Sequence, residues 1–358
     1  YVNSSATTLH NTTTSRVRAA IKWNGSTADV FVNGSKVVTG TTFTGTALEF
    51  MGLNTVDTPK YIKGMWLAPA PLSDADCLSA SQINLFLDVY TGAAAAYSLR
   101  KLSKSYVGPA IRVRRSSDNT TQDIGFDLNG NLDVTTLSSF VGAGNGFVTI
   151  WYDQSGNNRD AFSTGTTQQP QIIFSGDVSV KFDGVNDGMV TNSTVTANQP
   201  ITTFAVFKNT TWKNYVPIFG TSPNGIVPTG NQTGPQSFDI CQVGVANQLR
   251  IGATGGNGSN FEGYHILPQQ STLGKYYATS AIFNTPNFGF SLNGNFITGT
   301  SNFNSVNIIN SYLHIGSTFY PPYGFTDANI KEIIWYFNNQ SNNRLDIESN
   351  INNYYNLW

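Results

Sequence analysis

Residues 281–300 read AIFNTPNFGFSLNGNFITGT and residues 21–40 read IKWNGSTADVFVNGSKVVTG, two stretches that align without a gap at an offset of 260. Trp23 falls on Phe283, Asn33-Gly34 on Asn293-Gly294, and Val37 on Ile297. Both copies are a strand, an Asn-Gly pair and a second strand. That is the pattern of a hairpin closed by a type I′ turn, whose two central residues must tolerate positive φ. The repeat continues: residues 48–52 (LEFMG) match 313–316 (LHIG), and residues 62–67 (IKGMWL) match 330–335 (IKEIIW). Each copy then ends in a predicted helix. Ser73 and Ser341 stand at the N-cap positions, and Asp76 completes an S-x-x-D capping pattern in the first copy. Ile347, Ile351, Tyr354 and Tyr355 recur at helical spacing, and the aligned Ser79, Ile83, Phe86 and Leu87 keep most of that apolar stripe.

This order of elements looks like the back half of a concanavalin-like or laminin-G-like jelly roll. The second copy has a front half ahead of it, from Ala93 onward, and the first does not. The expected fold is therefore all-β, built of tandem jelly-roll sandwiches each closed by a short C-terminal helix. Residues 1–91 are expected to be the C-terminal half of one sandwich and residues 92–358 a complete second one. A first copy without its partner half leads to the expectation that the chain is part of a longer polypeptide, as does a start at Tyr1 in place of Met. Between the copies, Leu99 and Leu102 suggest a short amphipathic helix, and Ile111 and Val113 alternate with Arg112 and Arg114 as in a strand.

Composition narrows the class. Charged residues make up 11% of the chain, where about 25% is usual, while aromatics reach 13%. Such a chain has ample core and reads as a loop-rich extracellular or viral β-protein, not a disordered one. A net charge of -1 supplies no field for nucleic acid or an anionic membrane. No apolar run is long enough to span a bilayer, so membrane insertion is not expected. Cys77 and Cys241 fall in different expected domains and read as unpaired thiols. His10, His265 and His314 are scattered, and no metal or cofactor motif occurs. The segment 126–133 (FDLNGNLD) has calcium-loop spacing at Asp127, Asn129 and Asn131. It lacks glycine at the sixth position and a carboxylate at the twelfth, so a hairpin turn is expected there.

Four motifs follow one another between Tyr97 and Asp187: YSLRKL from Tyr97, IRVRRSSD from Ile111, WYDQSGNN from Trp151 and VKFDGVND from Val180. In that order they resemble the catalytic sandwich of the glycoside hydrolase family 54 α-L-arabinofuranosidases, and more closely the relatives of that sandwich in phage tail and fibre proteins. The resemblance implies a glutamate nucleophile in an L-E-N-G-like strand and an aspartate acid after a G-I-G-G turn. At the matching places this chain reads CQVG from Cys241 and HIGST from His314. Gln242 cannot be a nucleophile, and neither Ser317 nor Thr318 is an acid. A glycosidase needs two carboxyl groups, and Asp239 and Glu262 are the remaining candidates. The vicinal cysteine pair that the family uses to bind sugar is also reduced here to Cys241 alone.

The other signature residues read as scaffold. Asp118, Asp123 and Asp153 are expected to form internal ion pairs with Arg112, Arg114 and Arg115, because a buried guanidinium must be paired. For binding, Trp212, Tyr215, Tyr264, Tyr320 and Tyr323 stand in polar loops, either as platforms for sugar rings or as plugs at the sandwich ends and subunit contacts. The leading expectation is a non-enzymatic phage virion component, a fibre or tail module at the virion surface. It would support host attachment, bind cell-surface glycan, contact other virion proteins and form an oligomer, with a trimer in view. The alternatives are a secreted or virion-borne arabinofuranosidase-like hydrolase and a purely structural decoration protein.

Overall fold

A computed structural model describes residues 18–23, 27–42, 72–81, 84–163, 165–213, 216–222, 237–243, 248–254, 264–284, 286–300, 307–317 and 324–358. The chain divides into two units, Tyr1–Asn84 and Leu85–Trp358.

In the first unit β1 (Ala19–Trp23), β2 (Thr27–Val32) and β3 (Ser35–Thr42) form an antiparallel meander, followed by α1 (Asp74–Ser81). Asn33 and Gly34 take φ of 50° and 80°, as the type I′ turn requires. The alternate residues Ala28, Val30 and Val32 pack with Val38 into a small core. The Ser73 hydroxyl donates to the Asp76 carboxylate at 2.6 Å and accepts the Asp76 N–H at 3.1 Å, giving the expected cap. Asp74 binds Lys22 at 2.6 Å and Lys36 at 2.8 Å, tying helix to sheet. The helix stops at Ser81, so Phe86 and Leu87 do not continue its stripe. They lie instead on a separate four-residue helix, α2 (Phe86–Val89), in the core of the second unit. The repeat segments 48–52 and 62–67 lie outside the described residues.

The second unit continues with β4 (Ala95–Ser98), β5 (Ile111–Arg115), β6 (Thr121–Ile124), α3 (Val134–Val141), β7 (Gly146–Trp151), β8 (Ala161–Phe162) and β9 (Gln171–Ile173). Next come β10 (Ser179–Asp183), β11 (Met189–Thr191), β12 (Val195–Ala197), β13 (Ile201–Asn209), β14 (Pro217–Ser222), β15 (Ser237–Val243), β16 (Gln248–Thr254) and β17 (Tyr264–Gln270). The last elements are β18 (Tyr277–Asn284), β19 (Asn287–Leu292), β20 (Asn295–Thr300), β21 (Ile308–Ile315), β22 (Asp327–Tyr336) and α4 (Arg344–Tyr355).

All pairings are antiparallel, and two layers can be traced through them. One layer runs β20, β19, β18, β13, β22, with β4 and β10 both on the far side of β22. The other runs β17, β16, β15, β14, β21, β11, β8 and on through β7, β5 and β6. Strand β9 pairs with both β7 and β10 and joins the layers.

The central strands β13 and β22 are buried along almost their whole length because both their faces are covered. Along β13 and β22, Phe204, Val206, Ile334 and Tyr336 pack with Phe86, Ile347 and Ile351 of the helices. The intervening Ala205, Phe207, Ile333 and Trp335 belong to the large inner core with Phe219 and Ile315. Period-two alternation thus sorts a single strand between two cores. The Trp335 ring meets Phe219 edge-on at 5.5 Å across the layers. Asn293 and Gly294, with φ of 49° and 79°, close the β19–β20 hairpin as their counterparts close β2–β3.

Two local expectations are corrected. Leu99 and Leu102 are buried but follow strand β4 in irregular chain, not a helix, because the segment is fixed by side chains of the 151–158 turn and not by its own periodicity. Helix α4 is entered at Asn343 rather than Ser341, whose hydroxyl is taken by the Asn339 side chain. The 126–133 segment is a turn, as expected: Phe126 bridges Leu132, and the Asp127 carboxylate accepts the Asn129 and Asn131 N–H groups at 2.8 Å each.

Candidate functional site

Strand register brings the residues of interest together. Across the second layer, Tyr264 of β17 is paired with Gly252 of β16, Gly252 with Asp239 of β15, and Asp239 with Gly220 of β14. Gly220 is paired with His314 of β21, and His314 with Val190 of β11. One row therefore carries Tyr264, Asp239 and His314, with a glycine between each successive pair. Adjacent strands are about 4.8 Å apart, so Asp239 and His314 stand about 10 Å apart at the backbone. The two places where the sequence resemblance leads one to expect catalytic motifs, on β15 and at the end of β21, flank the same strand, β14.

The neighbouring row, Met189, Ile315 and Phe219, belongs to the inner core. By alternation His314 lies on the opposite face of β21. The imidazole is buried, and its Nδ1 has no hydrogen-bond partner. Burial pushes its pKa down to about 4 although backbone groups of Thr221 and Ser317 favour the charged form, so the ring is neutral near pH 7. Gly316 follows in the left-handed region at φ 79°, and a Cβ there would strike the Phe182 ring. Glycine is thus required where β21 turns out of the sheet, and this fixes Ser317 beside Gly188.

Beside this row, the turn between β10 and β11 joins the layers and holds two carboxyl groups. Asp183 Oδ1 accepts the N–H groups of Val185 and Asn186 at 2.8 and 3.2 Å, and the Asp183 N–H donates to Asp187 at 2.8 Å. Asp187 is buried, and desolvation, reinforced by the Asp183 charge, pushes its pKa up to about 7. The Lys213 ammonium donates to the Gly184 carbonyl of the same turn.

The signature arginines and aspartates are corrected in placement. Arg112 pairs with Asp123 at 2.7 Å and Arg115 with Asp118 at 2.6 Å, but on the surface, with Arg112 and Asp123 side chains 41% and 39% exposed. Ile111 and Val113 take the core face of β5, which leaves the arginines to its polar side. Those partners hold Asp118 and Asp123 below the usual carboxylate range, the arginine hydrogen bond being the largest cause in each. Arg114 binds no carboxylate among the described residues; it donates to Gln169 at 2.6 Å and Asn119 at 2.7 Å. Asp153 is buried without an arginine side chain and binds backbone, accepting N–H groups of Ala96, Ser155 and Arg159 at 2.8, 2.9 and 3.1 Å. The most deeply buried ion pair among the described residues is Arg100 with Glu332, which sequence reasoning missed; its signal was the arginine between Leu99 and Leu102 in the YSLRKL motif.

Of the proposed binding aromatics, Tyr264 falls in the row. Trp212 is half-buried, and its indole N–H is enclosed without a partner, beside Lys213 at the sandwich end. Tyr215, Tyr320, Tyr323 and Glu262 lie outside the described residues. A cleft of about 240 Å³ opens near Leu87, Thr91, Ser103, Tyr106 and Gln154. Its most buried polar group, the Gln154 amide, is already spent on the Leu102 N–H and the Ser98 and Arg100 carbonyls. Cys77 is a free, buried thiol. Among the described residues no group of three His, Cys, Asp or Glu could hold a metal ion. Nor is any helix among them long and apolar enough to cross a membrane.

The fold is thus that of a mostly antiparallel all-β protein with few helices. Residues 84–229 match the family described as alpha-L-arabinofuranosidase B, catalytic. Over 116 residues the chain is 31% identical to a probable alpha-L-arabinofuranosidase B of Aspergillus flavus, a match covering 32% of this chain and 22% of that protein. An arabinofuranosidase solved with arabinofuranosyl-alpha-1,2-xylobiose superposes with a TM-score of 0.54 at 16% identity, over 74% of this chain and 64% of that one. A family 54 α-L-arabinofuranosidase soaked with a cyclic sulfate inhibitor gives 0.55 over the same shares, again at 16% identity. The chain is related to the family 54 arabinofuranosidase catalytic domain. The expectation of a non-enzymatic phage fibre or tail module is thereby corrected: the matches are to arabinofuranosidases, and nothing in them supports a virion origin or surface.

Proposed function

We propose that the second unit is an arabinofuranosidase-type glycoside hydrolase acting on α-L-arabinofuranosides outside the cell. The match of residues 84–229 to the arabinofuranosidase catalytic family carries this reading. The row of Tyr264, Asp239 and His314, at the strands where that family keeps its catalytic motifs, supports it. Because Gln242, Ser317 and Thr318 replace the family's carboxyl groups, the chemistry falls to Asp239 and Glu262, one as carboxylate and the other as proton donor. Tyr264 serves as the ring on which the sugar stacks. The finer architecture belongs to the same proposal: a complete concanavalin-like jelly roll over residues 92–358, preceded over 1–91 by the back half of another.

Turnover of a chromogenic aryl α-L-arabinofuranoside tests the reading. Asp239→Asn and Glu262→Gln should each lower kcat at least about a hundredfold with the fold intact. A wild-type protein that releases no aglycone, or an Asp239→Asn variant as active as wild type, overturns it.

A further inference from the structure

We infer that His314 is a sugar-binding residue of this site, its imidazole Nδ1 hydrogen-bonding a hydroxyl of the bound pentose. The inference rests on the furanoside reading above and adds a residue to it, at a position where the matched family motif has a glycine. Three observations carry it. His314 sits in the row of Asp239, separated from it only by Gly220, which has no side chain to stand between them. The ring is on the face of β21 opposite the inner core that holds Ile315 and Leu313, so packing with that core does not account for it. Its Nδ1 is fully enclosed and without a partner. A buried polar atom in that state costs the desolvation of the group unless a ligand or water completes it.

Of the other buried hydroxyls that lack partners, Thr203, Thr279 and Ser291 lie on strands of the other layer, away from this row, and Ser271 follows β17; Thr326 stands before β22, its N–H donating to the Gly316 carbonyl. A neutral imidazole has one N–H and one bare nitrogen, and a furanose offers hydroxyls that both donate and accept. Near pH 7 the ring is neutral, consistent with recognition of an uncharged ligand.

The chain has three histidines, so imidazole ¹⁵N spectra of the labelled protein are simple to read. L-arabinose is the probe. Titrating it should displace the His314 nitrogen resonances, identified by their loss in His314→Phe. That variant, which keeps an aromatic ring, should bind arabinose about tenfold more weakly without a lower Tm, since it removes an unsatisfied polar atom. His314→Gln, which restores a polar group, should recover part of the affinity and covers the case in which the phenylalanine variant does not fold. If arabinose shifts tryptophan indole signals and leaves His314 unmoved, the inference is overturned while the furanoside reading stands. If the variant binds normally and melts many degrees lower, His314 is a packing residue. If arabinose shifts nothing and aryl arabinofuranosides are not cleaved, the reading and the inference fall together.

Discussion

Replacing Glu332 with glutamine should unfold the second unit at a markedly lower temperature, although the side chain keeps its shape. Glu332 is fully buried on β22, and its carboxylate accepts from Arg100 Nε at 2.7 Å and Nη2 at 2.8 Å, Ser98 Oγ at 2.7 Å and Tyr355 Oη at 3.1 Å. The Arg100 guanidinium is stacked on Tyr354 at 4.6 Å and faces Phe86 at 5.6 Å, so the pair joins α2, β4, β22 and α4. Removing one partner of such a pair costs about 3–5 kcal/mol, because the other charge stays buried without compensation. The amide is worse than neutral here, since its NH₂ faces donors. For a unit of this size each kcal/mol moves Tm by about 2–4 °C, so a drop of about 6–20 °C follows. Scanning calorimetry measures it, with urea unfolding as a check on ΔΔG. The double variant Arg100→Met with Glu332→Leu should lie within about 2 kcal/mol of wild type, because apolar packing can replace a buried pair. A single variant melting within about 3 °C of wild type would refute the reasoning.

Asp187 should make stability fall with pH. Its folded pKa of about 7 lies above the unfolded value near 4, so its contribution is intact below about pH 4 and is lost progressively up to about pH 7, at most about 4 kcal/mol; Asp187→Asn should flatten the profile, read from urea midpoints between pH 4 and 8. Gly316→Ala should cost several kcal/mol, from a positive φ and a collision with Phe182, and should appear as lost soluble expression or a Tm drop of at least about 8 °C.

The hairpins, the capped helix α1 and the alternation of β5 were legible because each is fixed by residues adjacent in sequence. Asn33-Gly34 and Asn293-Gly294 announce their turns at any distance from the rest of the chain. Where long-range partners decide, local reading failed. Leu99 and Leu102 have helical spacing, yet Gln154 takes the Leu102 N–H and the Ser98 and Arg100 carbonyls, holding the segment as irregular chain. Phe86 and Leu87 continued a stripe by spacing alone but belong to another unit's core. The arginines of β5 were expected inside because ion pairs were visible in the pattern, but alternation with Ile111 and Val113 had already assigned them to the outside. The buried carboxylate Glu348 pairs with Arg344 one helical turn away, whereas Glu332 is 232 residues from its arginine, and nothing local names it as the partner.

The same distinction bears on function. Asp153 and Gln154 of the Trp151 motif and Asp183 of the Val180 motif bind backbone, and Arg100 of the Tyr97 motif pairs with the buried Glu332, so the motifs shared with arabinofuranosidases are devices that set the framework. The matched stretch, residues 84–229, includes Val190 and Gly220 of the row but ends before Asp239, Tyr264 and His314. A signature of this kind carries the sandwich forward while leaving free the residues that line its face. Register then restores what similarity does not reach: residues from β15, β17 and β21, far apart in the chain, fall on one line because each strand pairs with its neighbour at a glycine. On the proposed furanoside reading, the row makes Asp239 and His314 the positions where substitution should separate a working hydrolase from a retained scaffold.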